Sequence, residues 1–266
     1  MTHPAGRGTA LVTGTSSGIG AAFAERLARE GYDLILVARR GERLEAQGRR
    51  LRAQYGVRAE PLPADLTDAA DLQRVEQRIE AEPQLTLLVN NAGRGDLVAF
   101  TDMPRELVQN MIALNVVALT RLAHAALPGM LARGAGTIIN VSSGLAYGVT
   151  PPFSVYGATK AFVSHFTELL HEEVGAKGIR LQALAPGLTR TNLGNAEVNG
   201  LFAQFPPEAI MEPDDLVDAS WRSLAMGELF CFPLLADPQV WERAHAAVKA
   251  VGDTPLSNRP AVRYRG

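Results

Sequence analysis

Short apolar runs alternate along the chain with longer stretches in which apolar residues recur at helical spacing. The apolar runs are rich in Val, Ile and Leu and do not alternate strictly with polar residues, which indicates strands buried on both faces. Strands are predicted at residues 10–12, 34–37, 59–62, 87–89, 137–141, 180–183 and 229–232. The stretches between them predict helices at about residues 18–30, 41–55, 68–81, 104–132, 154–176 and 213–226.

This alternation of strands and helices predicts an α/β fold with one parallel sheet. Parallel strands need long crossover connections, and these connections are right-handed. We therefore expect a doubly wound parallel sheet of about seven strands with helices on both faces. The 266 residues, of which 47% are hydrophobic, can bury a full core, so we predict a single domain over residues 1–266.

Two segments depart from the alternation. Residues 187–212 mix glycine, asparagine and proline with apolar side chains, which is typical of a lid over a substrate pocket. A surface insertion with its own small core is the alternative. From about residue 254 onward, two prolines and three arginines predict an extended tail.

Composition narrows the possible partners. The net charge of −2 provides no electrostatic case for nucleic acid or an anionic membrane. No run of about 18 apolar residues is free of charge, so no membrane span is predicted. Cys231 is the single cysteine, which excludes an internal disulfide and favours a cytoplasmic location. The histidines and carboxylates lack metal-ligand spacing, so we predict no catalytic metal.

A glycine-rich turn with the sequence TGTSSGIG joins the first predicted strand to the first predicted helix. Glycine allows a tight turn and a close approach to a pyrophosphate, and the N–H groups and dipole of the following helix attract negative charge. A tight loop without a ligand is the alternative, but the position after the first strand favours a dinucleotide site. The residues of this site are Gly14, Thr15, Ser16, Ser17, Gly18, Ile19 and Gly20.

The end of the second predicted strand indicates which dinucleotide is bound. An acidic residue there accepts hydrogen bonds from the ribose of NAD, whereas an arginine pairs with the 2′-phosphate of NADP. The strand ends at Ala38-Arg39-Arg40 without a carboxylate. Arg39 therefore favours NADP (NADPH) over NAD, with two ordinary solvated arginines as the alternative.

Tyr156 and Lys160 lie four residues apart, so on a helix both side chains face the same side. A neighbouring ammonium, an oxidised nicotinamide and a helix N-terminus would each lower the pKa of the Tyr156 phenol. The phenol could then protonate an alkoxide or accept a proton from an alcohol. Ser143, at the end of an apolar strand, could hold the substrate oxygen. A surface contact between the tyrosine and the lysine is the alternative.

These motifs, in this order, resemble those of the short-chain dehydrogenase/reductase family, in its compact, single-domain, NADP-preferring form. The resemblance extends over about residues 8–235 and implies a Rossmann-type fold. It implies a catalytic tetrad in which Asn115 holds a water that relays protons and Lys160 bonds to the nicotinamide ribose. The tetrad is Asn115, Ser143, Tyr156 and Lys160.

The same resemblance implies further cofactor contacts. Asp65, with Leu66 beside it, would meet the adenine amine, and a second motif would follow the fourth strand at Asn91, Ala92 and Gly93. A third segment would grip the nicotinamide carboxamide, at Pro186, Gly187, Thr189 and Thr191.

The leading functional hypothesis is an NADP(H)-dependent oxidoreductase that interconverts a ketone or other carbonyl and a secondary alcohol. A 3-oxoacyl-thioester reductase and a catalytically silent NADP-binding regulator are the alternatives. The expected partner is a small-molecule carbonyl or alcohol of hydrophobic character. Apolar residues that could line its pocket are Leu145, Tyr147, Val149, Phe153, Leu188, Leu193, Leu201, Phe202 and Phe205.

Two further features concern partners. Arg94 follows the Asn-Asn-Ala-Gly motif and could pair with a substrate carboxylate or phosphate, with a solvated surface arginine as the alternative. The resemblance also implies a homodimer or homotetramer formed by the helices at 104–132 and 154–176. Leu119, Leu122, Phe162 and Phe166 lie on these helices, either in such an interface or packed inward.

Overall fold

The computed structural model describes residues 6–191, 193–194, 200, 204–255 and 257–265. The chain divides into two compact units, Met1–Pro233 and Leu234–Gly266, where the sequence analysis expected one domain throughout. The first unit contains a seven-stranded parallel sheet in the order β3-β2-β1-β4-β5-β6-β7. The predicted doubly wound sheet is therefore confirmed.

The strands are β1 (Thr9–Thr13), β2 (Asp33–Ala38), β3 (Ala59–Pro63), β4 (Leu85–Asn90), β5 (Gly136–Val141), β6 (Ile179–Leu184) and β7 (Phe230–Cys231). The helices are α1 (Gly18–Arg29), α2 (Gly41–Tyr55), α3 (Ala69–Glu80), α4 (Arg105–Ile112), α5 (Leu119–Arg133), α6 (Ser154–Val174), α7 (Pro213–Met226) and α8 (Pro238–Gly252).

Two buried layers cover the faces of the sheet, because successive strand residues point to opposite sides. Val12 and Leu36 face the layer that contains Phe23 and Leu27 of α1. Leu11 and Ile35 face the opposite layer, with Leu122 of α5 and residues of α3 and α6. Because both faces of the central strands are buried, side chains on both faces are apolar. The strands therefore appear in the sequence as continuous hydrophobic runs.

The strand order reverses between β1 and β4, and the carboxyl ends of these two strands lie side by side. β5 pairs with β4 in parallel, with Asn140 opposite Asn90. In a doubly wound sheet, ligands bind at such a reversal, outside the carboxyl ends of the strands. The topology thus brings the loops after β1, β4 and β5 to one edge of the sheet.

The helix predicted at 104–132 is not continuous. A π-helical stretch, Ala113–Ala118, separates α4 from α5 and contains the buried Asn115. Among the described residues, one helical stretch, Arg105–Arg133, could cross a membrane by length and composition alone. Core helices meet the same criterion, and α5 packs here against α3, β4 and β5.

The second unit contains α8, which the sequence analysis did not predict. Asp237 caps α8 by accepting a hydrogen bond from the N–H of Gln239 at 3.0 Å, and Pro238 occupies its first turn. An acidic cap followed by proline is a recognised signal for the start of a helix. No described residue of α8 is buried within the chain.

Candidate active site

The glycine-rich turn lies between β1 and α1, as predicted. Gly14 and Gly18 adopt positive φ angles of 73° and 57°, which side chains strongly disfavour. A Cβ at Gly14 would lie 2.7 Å from Asn91 Nδ2, and a Cβ at Gly18 would lie 3.0 Å from Thr191 Cγ2. The turn therefore contacts both the loop after β4 and the segment after β6.

Thr13 links this turn to the loop after β4. Its hydroxyl donates to the Val89 carbonyl at 3.3 Å and accepts from the N–H groups of Asn91 and Ala92, each at 2.9 Å. The Asn91 side chain donates to the carbonyls of Thr13 at 2.8 Å and Gly14 at 3.5 Å. Asn91 thus supports the glycine-rich turn, and its contact with a cofactor stays a prediction.

The start of α1 fits a phosphate. Ser17, at the N-cap, forms no side-chain capping bond, and the first turn contains no acidic residue. The amide groups of that turn and the positive end of the helix dipole therefore remain available to an anion. The Thr15 hydroxyl is fully buried without a hydrogen-bond partner among the described residues, while Ile19 packs against the core. These observations fit a dinucleotide lying along the turn.

At the end of β2, the structure distinguishes two arginines. Both are exposed, but Arg40 Nη2 donates a hydrogen bond to the Ser16 hydroxyl at 2.9 Å. The sequence analysis selected Arg39 and did not assign a role to Arg40. The reason is that the spacing along a strand says nothing about which guanidinium crosses to the neighbouring loop.

Asp65 and Leu66 follow β3. Asp65 Oδ1 accepts hydrogen bonds from the N–H of Thr67 at 3.0 Å and from its hydroxyl at 2.7 Å. Leu66 is buried beside it in the second core layer. The Asp65 carboxylate is thus held at the same edge of the sheet as the turn, and its bond to adenine stays a prediction.

Tyr156 lies in the first turn of α6 and is only 5% exposed. Burial raises the pKa of Tyr156 to about 12, opposed by a hydrogen bond with Ser143. The sequence analysis expected a lowered pKa, but it could not weigh desolvation against a neighbouring ammonium. The Ser143 hydroxyl also accepts from the N–H of Leu145 at 3.2 Å. Tyr156 therefore keeps its proton at neutral pH in this structure.

Lys160 is buried one helical turn beyond Tyr156. Its Nζ donates to the Val141 carbonyl at 2.7 Å and lies 5.7 Å from the centre of the Tyr156 ring. Burial lowers the pKa of Lys160 to about 8. A Cβ at Gly93 would lie 3.4 Å from this Nζ. The lysine thus lies between the end of β5, the loop after β4 and the ring of Tyr156.

The lowered pKa predicts how stability depends on pH. The folded chain releases the Lys160 proton near pH 8 and the unfolded chain near 10.5, so the unfolded state binds more protons in between and stability rises with pH. Relative to Lys160→Met, the free energy of unfolding of the wild type should rise by about 2–3 kcal/mol between pH 7 and 10. Urea unfolding at four pH values measures this difference.

A matched control for this measurement is Lys177→Met, because Lys177 is exposed. The difference between this variant and the wild type should stay level over the same range of pH. A level difference for Lys160→Met as well would mean that Lys160 is not desolvated.

Asn115 presents its side chain to the loop after β4. Oδ1 accepts from the N–H of Arg94 at 2.9 Å, while Nδ2 donates to the Arg94 carbonyl and to the Thr159 hydroxyl, both at 2.9 Å. The π-helical turn widens the helix at this position, and such turns are frequent at functional sites. Asn115 thus lies beside Lys160 and Tyr156, although its own sequence context resembles an ordinary apolar helix.

The segment after β6 completes the edge. The Pro186 carbonyl accepts from the N–H of Gly144 at 2.8 Å, and the Thr189 hydroxyl donates to the Gly187 carbonyl at 3.3 Å. Thr189 pairs in parallel with Met211, and Arg190 forms an ion pair with Glu212 at 2.7 Å. The two ends of the predicted lid at 187–212 are therefore joined to each other.

Much of that lid, including Leu201 and Phe202, lies outside the described residues, and its role stays a prediction. Of its described apolar residues, Leu193 packs in the cluster that contains Tyr156, while Phe205 is exposed. Tyr147 differs from expectation, because its ring packs against Phe232 at 5.1 Å between ring centres.

An apolar cleft of about 600 Å³ opens beside the tetrad. It lies between residues 99–101, the loop at 145–154 and a face of α6 made of small residues, Gly157, Ala158 and Ala161. Phe153 lines the cleft and also contacts the Tyr156 ring, with 6.2 Å between ring centres. The side chain of Phe153 therefore lies between the cleft and the Tyr156 ring.

The Arg94 side chain is 45% exposed, as expected of a surface arginine, and it is paired with Asp96 of its own loop. Its Nε donates to Asp96 Oδ2 at 2.6 Å, and its Nη2 lies 3.3 Å from Asp96 Oδ1. Asp96 was not singled out from the sequence, because one acidic residue in a loop carries no signal by itself. In the described part of the chain, no group of three His, Cys, Asp or Glu side chains could hold a metal ion.

Comparison with known proteins decides the family. The model of the short chain dehydrogenase family matches residues 8–200. The chain belongs to the short-chain dehydrogenase family. A short-chain dehydrogenase from Sphingobium yanoikuyae, solved in complex with NADPH, is 40% identical, with a TM-score of 0.92 and coverage of 97% of this chain and 100% of the other.

Two more relatives of this short-chain dehydrogenase bear on its chemistry. The bulky-bulky ketone specific alcohol dehydrogenase from Comamonas testosteroni is 35% identical, with a TM-score of 0.90 and full coverage of both chains. A very-long-chain 3-oxoacyl-CoA reductase from Anas platyrhynchos is 34% identical over 189 residues, 69% of this chain. The chain spans 56–60% of the length of such curated relatives.

Proposed function

We propose that this short-chain dehydrogenase is an NADPH-dependent reductase that converts bulky, apolar ketones to secondary alcohols, with Tyr156 as the general acid. One observation carries the proposal. Tyr156 is hydrogen-bonded to Ser143 and lies beside Lys160, and Asn115 is bonded to Thr159 of the same helix. Tyr156 also shares Phe153 with an apolar cleft of about 600 Å³.

Each member of the tetrad has a role that its environment favours. When bound, NADPH supplies the hydride for the carbonyl carbon. Tyr156, protonated at neutral pH by burial, donates its proton to the alkoxide oxygen, which Ser143 holds by a hydrogen bond. Lys160, cationic below its pKa of about 8, stabilises the phenolate that remains. Asn115 supports the path by which Tyr156 regains a proton.

The residues of the cofactor site fit a phosphorylated dinucleotide. The uncapped start of α1 and the turn from Gly14 to Gly20 would hold the pyrophosphate. Arg40, Arg39 and the Ser16 hydroxyl would hold the 2′-phosphate, and β2 ends without a carboxylate that would repel it. NADPH in the Sphingobium relative supports the same choice.

Arg40 should discriminate between the two cofactors. A guanidinium that bonds to a phosphate contributes about 1.5–3 kcal/mol, so Arg40→Ala should raise the KM for NADPH about tenfold or more. The KM for NADH should stay level, because NADH lacks the 2′-phosphate. Arg43→Ala, an exposed arginine of α2, is the matched control, and Arg39→Ala measures the share of the second arginine. Equal effects of Arg40→Ala on both cofactors would contradict this role.

A 3-oxoacyl-thioester reductase is the second candidate. The Anas platyrhynchos relative carries the name of that activity, and an apolar cleft could also accept an acyl chain. The ketone reductase is favoured because the Comamonas relative matches the chain over its full length, whereas the thioester reductase is matched over 60% of its own length. A silent NADP-binding regulator is disfavoured, since all four tetrad residues are present and Tyr156 lies beside both Ser143 and Lys160.

The test is a panel of carbonyl substrates with NADPH and with NADH. The panel contains small ketones, diaryl and other bulky ketones, aldehydes and 3-oxoacyl thioesters. Turnover of bulky ketones with NADPH would support the proposal, and turnover of thioesters alone would favour the second candidate. Tight NADPH binding without turnover across the panel would favour the silent regulator.

Association and location are proposed with the function. Leu119 and Leu122 are buried within the chain and do not form an outer face. Phe162 is exposed and stacks on Phe166 of the same helix, with 5.8 Å between ring centres, so α6 could pair with a second copy in a homodimer or homotetramer. A cytoplasmic location follows from the single, buried cysteine.

A further inference from the structure

The loop after β4 contains an ion pair that the proposed chemistry does not use. Arg94 donates through two nitrogens to the two carboxylate oxygens of Asp96, at 2.6 and 3.3 Å. The Asp96 side chain is 1% exposed, whereas that of Arg94 is 45% exposed. A buried carboxylate stays ionised only beside a partner that replaces its water. The pair therefore holds the loop closed across residues 94–96.

Three consecutive residues of this loop contact the tetrad. Gly93 lies close to Asn115 and Lys160, since a Cβ added at Gly93 would be 3.3 Å from Asn115 Oδ1 and 3.4 Å from Lys160 Nζ. The backbone of Arg94 binds the Asn115 amide at both ends, at 2.9 Å each. Gly95 lies against the ring of Tyr156, because a Cβ added at Gly95 would be 2.8–3.1 Å from three ring carbons.

Regular secondary structure does not fix this loop. Residues 91–99 form neither helix nor strand. Asn91 and Ala92 are tied to Thr13 by hydrogen bonds, which secure the loop on the side of the cofactor turn. On the side of Tyr156, the Arg94–Asp96 ion pair connects two residues of the loop.

We propose that Arg94 and Asp96 are positioning residues for the reaction. Their ion pair holds the Arg94 backbone where Asn115 binds it and holds Gly95 where the Tyr156 ring rests. The inference rests on the proposed function, since it assigns the pair to the reduction carried out by that tetrad. It also replaces a substrate-binding role for Arg94, because two of its guanidinium nitrogens are engaged by Asp96.

The experiment compares Arg94→Ala, Arg94→Lys and Asp96→Asn with the wild type in the full chain. Steady-state kinetics use the neutral ketone that the panel finds fastest. We expect Arg94→Ala and Asp96→Asn to lower kcat by about tenfold to 100-fold, since small displacements of reacting groups have effects of this size. The KM values for ketone and NADPH should stay within about twofold, and Arg94→Lys should recover part of kcat.

A second readout does not depend on turnover. Selective ¹⁵N labelling of asparagine allows hydrogen exchange of the Asn115 side-chain amide to be followed by NMR, with Asn115→Ala for assignment. This amide donates to the Arg94 carbonyl, so its exchange should quicken in Arg94→Ala and return towards the wild-type rate in Arg94→Lys. Arg58→Ala, which removes an exposed ion pair with Asp33, is the control and should change neither readout.

The outcomes separate this inference from the proposed function. An inactive wild type would refute the proposed function, while amide exchange would still test the positioning of Asn115. Unchanged exchange in Arg94→Ala would overturn the inference, whether or not kcat falls. A rise in KM confined to anionic carbonyl substrates would overturn it as well, because Arg94 would then bind substrate. If Arg94→Ala fails to fold, Asp96→Asn and Arg94→Lys decide the matter by the same readouts.

Discussion

Tyr156→Phe should lower kcat for ketone reduction by roughly 10²–10⁴-fold and leave NADPH affinity within about twofold. In the proposed reaction the phenol, which lies beside Ser143 and Lys160, donates the proton, and phenylalanine preserves the ring that packs on Phe153 and Gly95. The substitution therefore removes the transferable proton while keeping the packing. Stopped-flow or steady-state oxidation of NADPH measures kcat, and fluorescence titration measures binding.

Tyr32→Phe is the matched control for this prediction. Tyr32 is also buried, at 9% exposure, but its ring packs against Trp221, at 6.3 Å between ring centres. Loss of the Tyr32 hydroxyl should leave kcat within about twofold, since this hydroxyl is not part of the tetrad. A Tyr156→Phe variant with wild-type turnover would require another acid, and the proposed role of Tyr156 would be wrong.

Gly20→Ala should lower NADPH affinity about 100-fold, the equivalent of two charge-assisted hydrogen bonds. A Cβ at Gly20 would overlap the carbonyl oxygen of Gly14 and lie 2.5 Å from Asn91 Nδ2. Neither the backbone of the turn nor Asn91, held by the Thr13 carbonyl, can move aside freely. The start of α1 would be pushed away from the turn, and the free energy of unfolding should fall by about 2 kcal/mol or more.

Gly129→Ala controls for the general effect of replacing a helical glycine. Gly129 lies within α5, and its Cβ would meet only the flexible end of Arg133, at 3.4 Å. Alanine at this position should raise the free energy of unfolding by about 0.5–1 kcal/mol and leave NADPH affinity unchanged. Isothermal titration and urea unfolding of both variants measure the contrast. Wild-type NADPH affinity in Gly20→Ala would show that the close approach within the turn is not needed for binding.

Local pattern was a good guide to the elements of the first unit. The strand at 34–37 was predicted within one residue of β2 at each end, because its side chains are buried on both faces. The helix at 104–132 was predicted as one element, yet the structure interrupts it at Ala113–Ala118. A π-helical turn depends on contacts with the loop after β4 and on Thr159, none of which lies nearby in sequence.

The candidate site was predicted in its members but not in its electrostatics. Glycine spacing and the Tyr-Lys pair indicated which residues would meet, and the structure brings them to one edge of the sheet. Burial raises the pKa of Tyr156 and lowers that of Lys160, which spacing along the chain does not reveal, and a lower Tyr156 pKa beside an oxidised nicotinamide stays a prediction. Arg40 was missed for a related reason, since its bond to Ser16 joins two loops 24 residues apart.

The sequence alone determined the fold class and the family resemblance, and it predicted the tetrad, because periodicity and short motifs are local properties of the chain. The tertiary structure decided how those residues are held. The Arg94–Asp96 pair, the binding of Asn115 to the Arg94 backbone and the apolar cleft beside Phe153 all arise from segments that meet only when the sheet is assembled. Burial, which sets the pKa values of Tyr156 and Lys160, is likewise a property of the packed chain, since it depends on every neighbour at once.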